Sequence, residues 1–288
     1  MAWRVVIATR ILPVALGFDA AIREAGHEPV GLLTIRDPQR RYGDWDVAEL
    51  VNGAPSDLDV MLAAKRSSLA PLLEARQPDL VVCMGFPWKV PAAALAVPAL
   101  GWLNGHPSLL PQHRGPIPLS WTIRSGDEES GVSFHFMDAD FDTGPIVAQR
   151  RFPLGEPVEP EAFFARMGPV VVETLAEALA KVEAGDRGTP QEGGAYETFF
   201  TAGDVWLDPS QTAEQQHRLA WAWRFTPPIA APVQGLLVDV DGETVRVLES
   251  SLQEVEGAVR VDCADAPLWL VRTERLPEPA PAAAAPPT

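Results

Sequence analysis

Between Gly101 and Pro145 the chain gathers the residues that could do chemistry. Asn104 and His106 stand two positions apart, so in extended backbone both side chains point to one side. Asp142 follows after a further apolar run. Asn104 offers an amide donor. His106 offers a donor or a base near neutral pH. Asp142 can orient the histidine, raise its affinity for a proton, or relay a proton through water. Together they suit attack of an amine on a carbonyl carbon, because such a substrate brings its own nucleophile. Asn104 and a protonated His106 would stabilise the developing oxyanion, each donor worth on the order of 10²–10³ in rate. Asp142 would help remove the amine proton. By themselves the three residues justify carbonyl chemistry and nothing narrower.

Other motifs in the same stretch fit less well. Asp142-Thr143-Gly144 matches the aspartic protease tripeptide, but that chemistry needs two carboxylates sharing a proton, and no second copy occurs. His106, His113 and His135 follow no helical or ribbon ligand spacing, so no metal is expected. GxGxxG and GxxxxGK[ST] are absent, which removes support for dinucleotide and P-loop readings.

The elements around these residues read as an α/β frame. Arg4–Ala8 is a buried strand, Val14–Ala25 a helix stopped by Gly26, and Pro29–Leu33 a second strand. Strand, helix, strand predicts a parallel sheet. Asp37–Asp57 is polar and turn-rich and reads as a loop. Ser67–Arg76 is helical, and Leu80–Met84 is an apolar run suited to a central parallel strand. Leu100–Leu103, Val132–Met137 and Ile146–Phe152 are further strands, and Pro160–Val182 is a long helix. Asn104 and His106 then fall just past a strand, where ligands of open parallel sheets bind. Pro107 and Pro111 stiffen the loop that follows.

Composition changes after Gly185. Residues 1–185 read as the catalytic domain and 186–203 as a linker. Residues 204–276 read as a small β-rich domain, and 277–288 as a disordered Pro/Ala tail. The β-rich part holds Val205–Leu207, a helix over Thr212–Arg224, strands Leu236–Val240 and Thr244–Leu248, Val259–Val261, and Trp269–Val271. Asp241-Gly242 between two of these strands is a hairpin turn signal.

Charge limits the partners. The formal net is −16, with three lysines in all, Lys65, Lys89 and Lys181. From Asp186 onward 16 acidic residues face 7 arginines. Nucleic acid is therefore an unfavoured partner, since its phosphates must be met by cations. The small cluster Arg36, Arg40 and Arg41 reads as a solvated turn. No run of 18 apolar residues implies a membrane span. The N-terminus lacks a signal-peptide order. Cys83 and Cys263 form no metal or disulfide pattern, so the cytoplasm is the expected compartment.

The segment Asn104-x-His106-Pro107-Ser108-Leu109-Leu110-Pro111-x-x-Arg114-Gly115, with Asp138 and Asp142-Thr143-Gly144, resembles the 10-formyltetrahydrofolate-dependent formyltransferases. The resemblance implies a Rossmann-like, doubly wound, mostly parallel sheet with a smaller β-rich C-terminal domain. It implies that Asn104, His106 and Asp142 are the catalytic trio and that 10-formyltetrahydrofolate is the formyl donor. It places the folate against Met84, Gly85, Phe86, Pro87 and Trp88 and against the loop Asp138–Asp142, including Asp140, largely through backbone groups. Phe86 and Trp88 read equally as packing aromatics.

Asp204–Ser250, with Ala220-Trp221-Ala222-Trp223-Arg224, is similar to the C-terminal domain of the methionyl-tRNA formyltransferase branch. That branch carries a longer, basic insertion after the second strand; here Asp37–Asp57 is short, and only Arg40 and Arg41 in it are basic. The turn at Pro227–Pro232 departs as well. These departures favour a small-molecule amine, such as an N-hydroxyornithine of siderophore biosynthesis, an aminosugar or another amino acid. Methionyl-tRNA, hydrolysis of the donor to formate, and non-catalytic folate binding remain alternative readings.

Overall fold

The computed structural model describes residues 1–36, 47–155, 159–226 and 235–276. Contacts divide them into two compact units. One holds Met1–Thr122 and Asp127–Phe199; the other holds Ile123–Gly126, Phe200–Thr226 and the described residues after 234.

The first unit is built on β1 (Arg4–Ala8), α1 (Leu12–Glu24), β2 (Glu28–Ile35), α2 (Val47–Gly53), β3 (Val60–Ala63), α3 (Leu69–Glu74) and β4 (Leu80–Cys83). It continues with α4 (Ala92–Leu95), β5 (Trp102–His106), α5 (Pro118–Ser125), β6 (Glu129–Phe136), β7 (Ile146–Pro153) and α6 (Pro160–Glu183). Seven strands form one sheet in the order β3-β2-β1-β4-β5-β6-β7. The pairs from β3 through β5 are parallel, and β5–β6 and β6–β7 are antiparallel. The order reverses between β1 and β4, the place where open α/β sheets leave a crevice at their carboxyl ends.

Alternation along the strands feeds two cores. Val6 and Ala8, Leu33 and Ile35, and Val81 and Cys83 turn to one face, where Leu69, Leu73 and Ala94 of α3 and α4 close over them. The opposite face is covered by α1 and α6, which pack on each other. There Phe18 of α1 meets Phe134 of β6 with ring centroids 5.9 Å apart, both fully buried. A side chain of that size contributes about 1.5–3 kcal/mol by leaving water. The strands are apolar on both sides because both sides are covered.

The second unit contains α7 (Ala213–Trp223) and an antiparallel sheet of β8 (Leu236–Val240), β9 (Glu243–Ser251), β10 (Val259–Asp262) and β11 (Pro267–Arg275), in the order β10-β11-β9-β8. Thr212 caps α7 by accepting from the Gln215 amide, and the Gln215 side chain reaches back in a capping box. Asp241 and Gly242 turn the β8–β9 hairpin with φ of 52° and 83°, as the dipeptide predicts. The architecture is the expected one: a doubly wound, mostly parallel sheet and a smaller β-rich part.

Several expectations need correction. The strand read as Leu100–Leu103 is β5, Trp102–His106, so Asn104 and His106 lie within the strand rather than past it. Gly101, at φ 94°, sits outside the strand. The stretch Asp37–Asp57 includes helix α2; residues 37–46 of it, with Arg40 and Arg41, lie outside the described residues. Short β3, α4 and α5 were too brief to show a period. Residues 186–199, read as linker, belong to the first unit: Thr189 bridges Ile146 of β7, and Tyr196 bridges Arg114. The Pro227–Pro232 turn and the 277–288 tail also fall outside the described residues.

Candidate active site

β5 brings Asn104 and His106 out on the same face, and the register with β6 sets a partner beside each. Asn104 lies opposite His135, and His106 opposite Ser133. Gly105 between them points the other way, against Phe134. A Cβ there would sit 2.9 Å from the Phe134 ring and 3.4 Å from Met84 Sδ. Glycine at this position lets the strand lie close to its packing partner while its neighbours face the site.

Asp142 arrives from the loop between β6 and β7 with its backbone at φ 57°. Its Oδ2 accepts the Gly115 amide at 3.0 Å. Its Oδ1 lies 3.6 Å from His106 Nδ1 and 3.6 Å from His135 Nε2. Gly115 is at φ 127°, and a Cβ there would collide with the Glu197 carbonyl. Upstream, Asp138 Oδ1 accepts from the Asp140 amide at 3.1 Å and from Thr143 Oγ1 at 2.7 Å, which folds the loop that presents Asp142.

Backbone carbonyls fix the protons of the two histidines. His106 Nε2 donates to the His113 carbonyl at 2.9 Å. His135 Nδ1 donates to the Phe136 carbonyl at 2.9 Å. A carbonyl only accepts, so each contact assigns the proton. His135 Nε2 is then free to accept from Asn104 Nδ2 at 3.1 Å, which orients the amide and leaves its second N–H available. His106 Nδ1 is the nitrogen turned toward Asp142.

Burial depresses the His106 pKa, and this outweighs the Asp142 carboxylate that would raise it. Burial works to raise the Asp142 carboxyl, but the facing His106, His135 and Gly115 groups outweigh it and hold it below the usual carboxylate range. The resting pair is thus neutral His106 beside ionised Asp142. With Nε2–H already engaged by the His113 carbonyl, the side-chain N–H left over within the trio is the second one of Asn104.

The other residues named from the sequence are placed as follows. Met84 and Trp88 have buried side chains, and Trp88 belongs to the core cluster on the α3–α4 face. Gly85 is exposed and left-handed at φ 65°, and Phe86 and Pro87 keep partial exposure. Phe86 stands edge-on to Trp88 with centroids 6.3 Å apart. Asp138 and Asp140 are exposed, Asp140 lying 3.8 Å from Lys89 Nζ. Among the described residues no group of three or more His, Cys, Asp or Glu is placed to hold a metal ion.

The sequence reading missed three participants. His135 was noticed only as an unsuitable metal ligand, and a single residue on a strand gives no signal of its cross-strand neighbour. Gln191 donates to the carbonyls of Asp142 (2.9 Å) and Gly144 (2.7 Å). Its Oε1 accepts from Arg114 Nη2 at 2.8 Å and Nε at 3.0 Å. It lies in the stretch read as linker, where composition hid it. Tyr196, from the same stretch, sets its half-exposed ring 6.0 Å from the half-exposed Phe141.

A doubly wound sheet with polar chemistry at the carboxyl ends of its central strands defines an α/β enzyme fold. Comparison with known proteins narrows it. A formyl transferase family profile matches residues 56–179. The chain is 32% identical over 263 residues to methionyl-tRNA formyltransferase of Roseiflexus sp. (strain RS-1), covering 86% of this chain and 78% of that protein. It spans less of some other methionyl-tRNA formyltransferases, 61% of the length of one and 52% of another. Among solved structures, HypX from Aquifex aeolicus in complex with tetrahydrofolic acid matches with TM-score 0.65 at 20% identity, over 96% of this chain and 44% of that one. A sugar N-formyltransferase from Shewanella sp. matches with TM-score 0.64 at 18% identity, over 85% of this chain and 96% of that one. The chain belongs to the formyltransferase family.

Two outcomes follow from the geometry. Gly105→Ala forces the added methyl onto Phe134 and should cost about 1–3 kcal/mol, read as a lowered denaturation midpoint together with reduced turnover from displaced neighbours. Wild-type turnover with the midpoint unchanged would refute the close approach. The second concerns pH. Both His106 and Asp142 release their protons more readily in the folded chain. Stability from Asp142 is therefore present above its unfolded value and lost as pH falls through the lowered one; for His106, stability falls once pH drops below the ordinary histidine value of about 6.5. The acid limb of kcat/KM should lie below about pH 6.5. A limb at or above that value would contradict a neutral resting His106.

Proposed function

We propose that this chain transfers a formyl group from 10-formyltetrahydrofolate to the amine of a small molecule. The observation that carries the reading is the placement of Asn104, His106 and Asp142 around one point at the carboxyl end of β5, with the amide, the base and the carboxylate each in a fixed orientation. The residues fit a folate donor: exposed Gly85 and partly buried Phe86 and Pro87 border the end of β4, and the Asp138–Asp142 turn offers backbone groups. The donor supplies a carbonyl carbon already attached to a leaving nitrogen. The free Asn104 Nδ2 hydrogen holds the carbonyl oxygen as it gains negative charge. His106 Nδ1, unprotonated at rest, takes the proton that the attacking amine gives up as the new C–N bond forms, and returns it to the leaving folate nitrogen as the old C–N bond breaks. The resulting imidazolium is met on one side by the His113 carbonyl and on the other by Asp142, so its charge forms between two waiting acceptors. His106 thus moves the proton, and Asp142 stabilises the charge rather than acting as the first base.

The acceptor reading rests on charge and surface. The chain carries net charge −16. The loop beside Asp142 presents Phe141 and Tyr196 as a half-exposed aromatic pair, with Lys89 Nζ 5.3 Å over Phe141. Such faces suit the body of a small amine; an N-hydroxyornithine-like amino acid or an aminosugar fits the class. The sequence identity to methionyl-tRNA formyltransferases supports a second reading, with methionyl-tRNA as acceptor.

The deciding assay incubates 10-formyltetrahydrofolate with a panel of amines and with initiator methionyl-tRNA, reading tetrahydrofolate and formate separately. Tetrahydrofolate released with a formylated small amine supports the proposal. Salt-sensitive formylation of the tRNA alone would replace the acceptor, and formate with no formylated product would make the chain a hydrolase. His106→Ala and Asp142→Ala should each lower turnover by about 10²–10⁴ with donor affinity retained. Near-full turnover in His106→Ala would sink the mechanism.

A further inference from the structure

His113 stands outside the trio, yet its environment is built with more care than theirs. It lies in the loop after β5 with φ 56°, a left-handed backbone that costs a non-glycine residue roughly 1–2 kcal/mol. Its ring is largely enclosed, at 9% side-chain exposure, between two carboxylates from distant segments. Nδ1 meets Glu197 Oε2 at 2.7 Å, and Nε2 meets Asp127 Oδ2 at 2.8 Å. Both ring nitrogens are thus engaged by carboxylates, which fixes the ring from two sides. The imidazole is a crosspiece between the turn after α5 and the strip 196–199.

This crosspiece holds the adjoining backbone. The Arg114 carbonyl accepts the Glu197 amide at 2.8 Å, and Tyr196 bridges Arg114. The His113 carbonyl is the acceptor for His106 Nε2, and two residues on the Gly115 amide donates to Asp142. One three-residue strip thus contacts both members of the His106–Asp142 pair. Were the carbonyl of residue 113 to turn away, Nε2 would lose its acceptor. Asp142 Oδ1 would then be the acceptor nearest the ring, and the proton would shift to Nδ1. In that tautomer the nitrogen beside the carboxylate is a donor and can no longer serve as a base.

We propose that His113, clamped between Asp127 and Glu197, is a positioning residue that sets the tautomer of His106: its carbonyl keeps the proton on Nε2 and leaves Nδ1 basic. The consequence for turnover rests on the formyl-transfer reading above; the tautomer itself does not. The clamp also explains why residues 186–199 fold back onto the first unit. The strip contributes Gln191 to the Asp142 loop and Glu197 to His113, so it braces both arms of the site.

The test is a two-bond ¹H–¹⁵N correlation spectrum of the full chain labelled at its five histidines, recorded at pH 7.5 without any substrate. Loss of one ring pattern in His106→Gln assigns His106. The wild type should show His106 protonated on Nε2. Glu197→Ala combined with Asp127→Ala should draw the two His106 nitrogen shifts toward each other, while the His27 and His217 patterns stay in place and report an intact fold. Turnover should fall roughly ten- to hundred-fold with donor KM within about two-fold. Glu197→Gln, which keeps an acceptor oxygen on His113 Nδ1, should restore the wild-type His106 pattern. If the double variant does not fold, Glu197→Ala alone is read in the same way. An Nδ1-protonated His106 in the wild type would overturn the proposal, as would an unchanged His106 pattern in a folded clamp variant. Absence of formyl transfer in the wild type would instead remove the functional reading and leave the tautomer result standing.

Discussion

The site depends on one buried negative charge. Asp142 is withdrawn from water and must be compensated where it sits, because an isolated carboxylate in a protein interior costs several kcal/mol. Gly115 supplies an amide, and His106 Nδ1 and His135 Nε2 lie 3.6 Å away, where a proton gained by either ring would face the carboxylate. Gly115 and His106 are distant from it in sequence, and His135 comes from the strand that leads into its loop. Satisfying the carboxylate draws together the carboxyl end of β5, the loop that follows it, the edge of β6 and the β6–β7 loop. The same requirement that makes the charge tolerable assembles the chemistry around it.

How the carboxylate is held matters as much as what it faces. Its residue is left-handed, and the carbonyls of Asp142 and Gly144 are both caught by Gln191. Gln191 is itself fixed by the forked contact from Arg114. Arg114 therefore acts on the site from its outer side, through a glutamine, rather than by offering its charge to a substrate. An arginine in a signature segment invites the reading of an anion binder; here its guanidinium is occupied within the fold.

The sequence disclosed the site unevenly, for physical reasons. That Asn104, His106 and Asp142 stand together was legible because two-residue spacing and proline and glycine punctuation leave a trace in a single sequence; their choice as a trio came from the resemblance to the family. The parallel sheet was legible because strands covered on both faces are apolar throughout. The limits of β5 were not: Asn104-Gly105-His106 looks like loop composition, and only pairing with β4 and β6 makes it strand. His135 and Gln191 were illegible because their importance comes from a cross-strand register and from a tertiary return of the chain. The Gly-rich, charged stretch 186–194 has linker composition, and its role rests on one glutamine and one backbone bridge, which composition cannot register. Trp88 reads equally as a folate contact and as a packing aromatic, and its ring fills the core under α3 and α4.

Two backbone carbonyls resolve an ambiguity that side chains alone would leave open. Histidine has two neutral tautomers, and an asparagine amide has two orientations. The carbonyls of His113 and Phe136 hold opposite ring nitrogens of His106 and His135 as donors. His135 is thereby made an acceptor at Nε2, and Asn104 must turn its amide nitrogen toward it. From two carbonyl positions the proton pattern of three side chains follows in sequence. The outcome is a site with one free N–H on Asn104 and one unprotonated nitrogen on His106, which under the proposed formyl transfer serve as a donor for a growing oxyanion and an acceptor for a departing proton. A carbonyl addition needs both at once. Side chains able to rotate between donor and acceptor would have to be ordered at each turnover, whereas here the ordering is done once, in folding, by main-chain groups that have no alternative state.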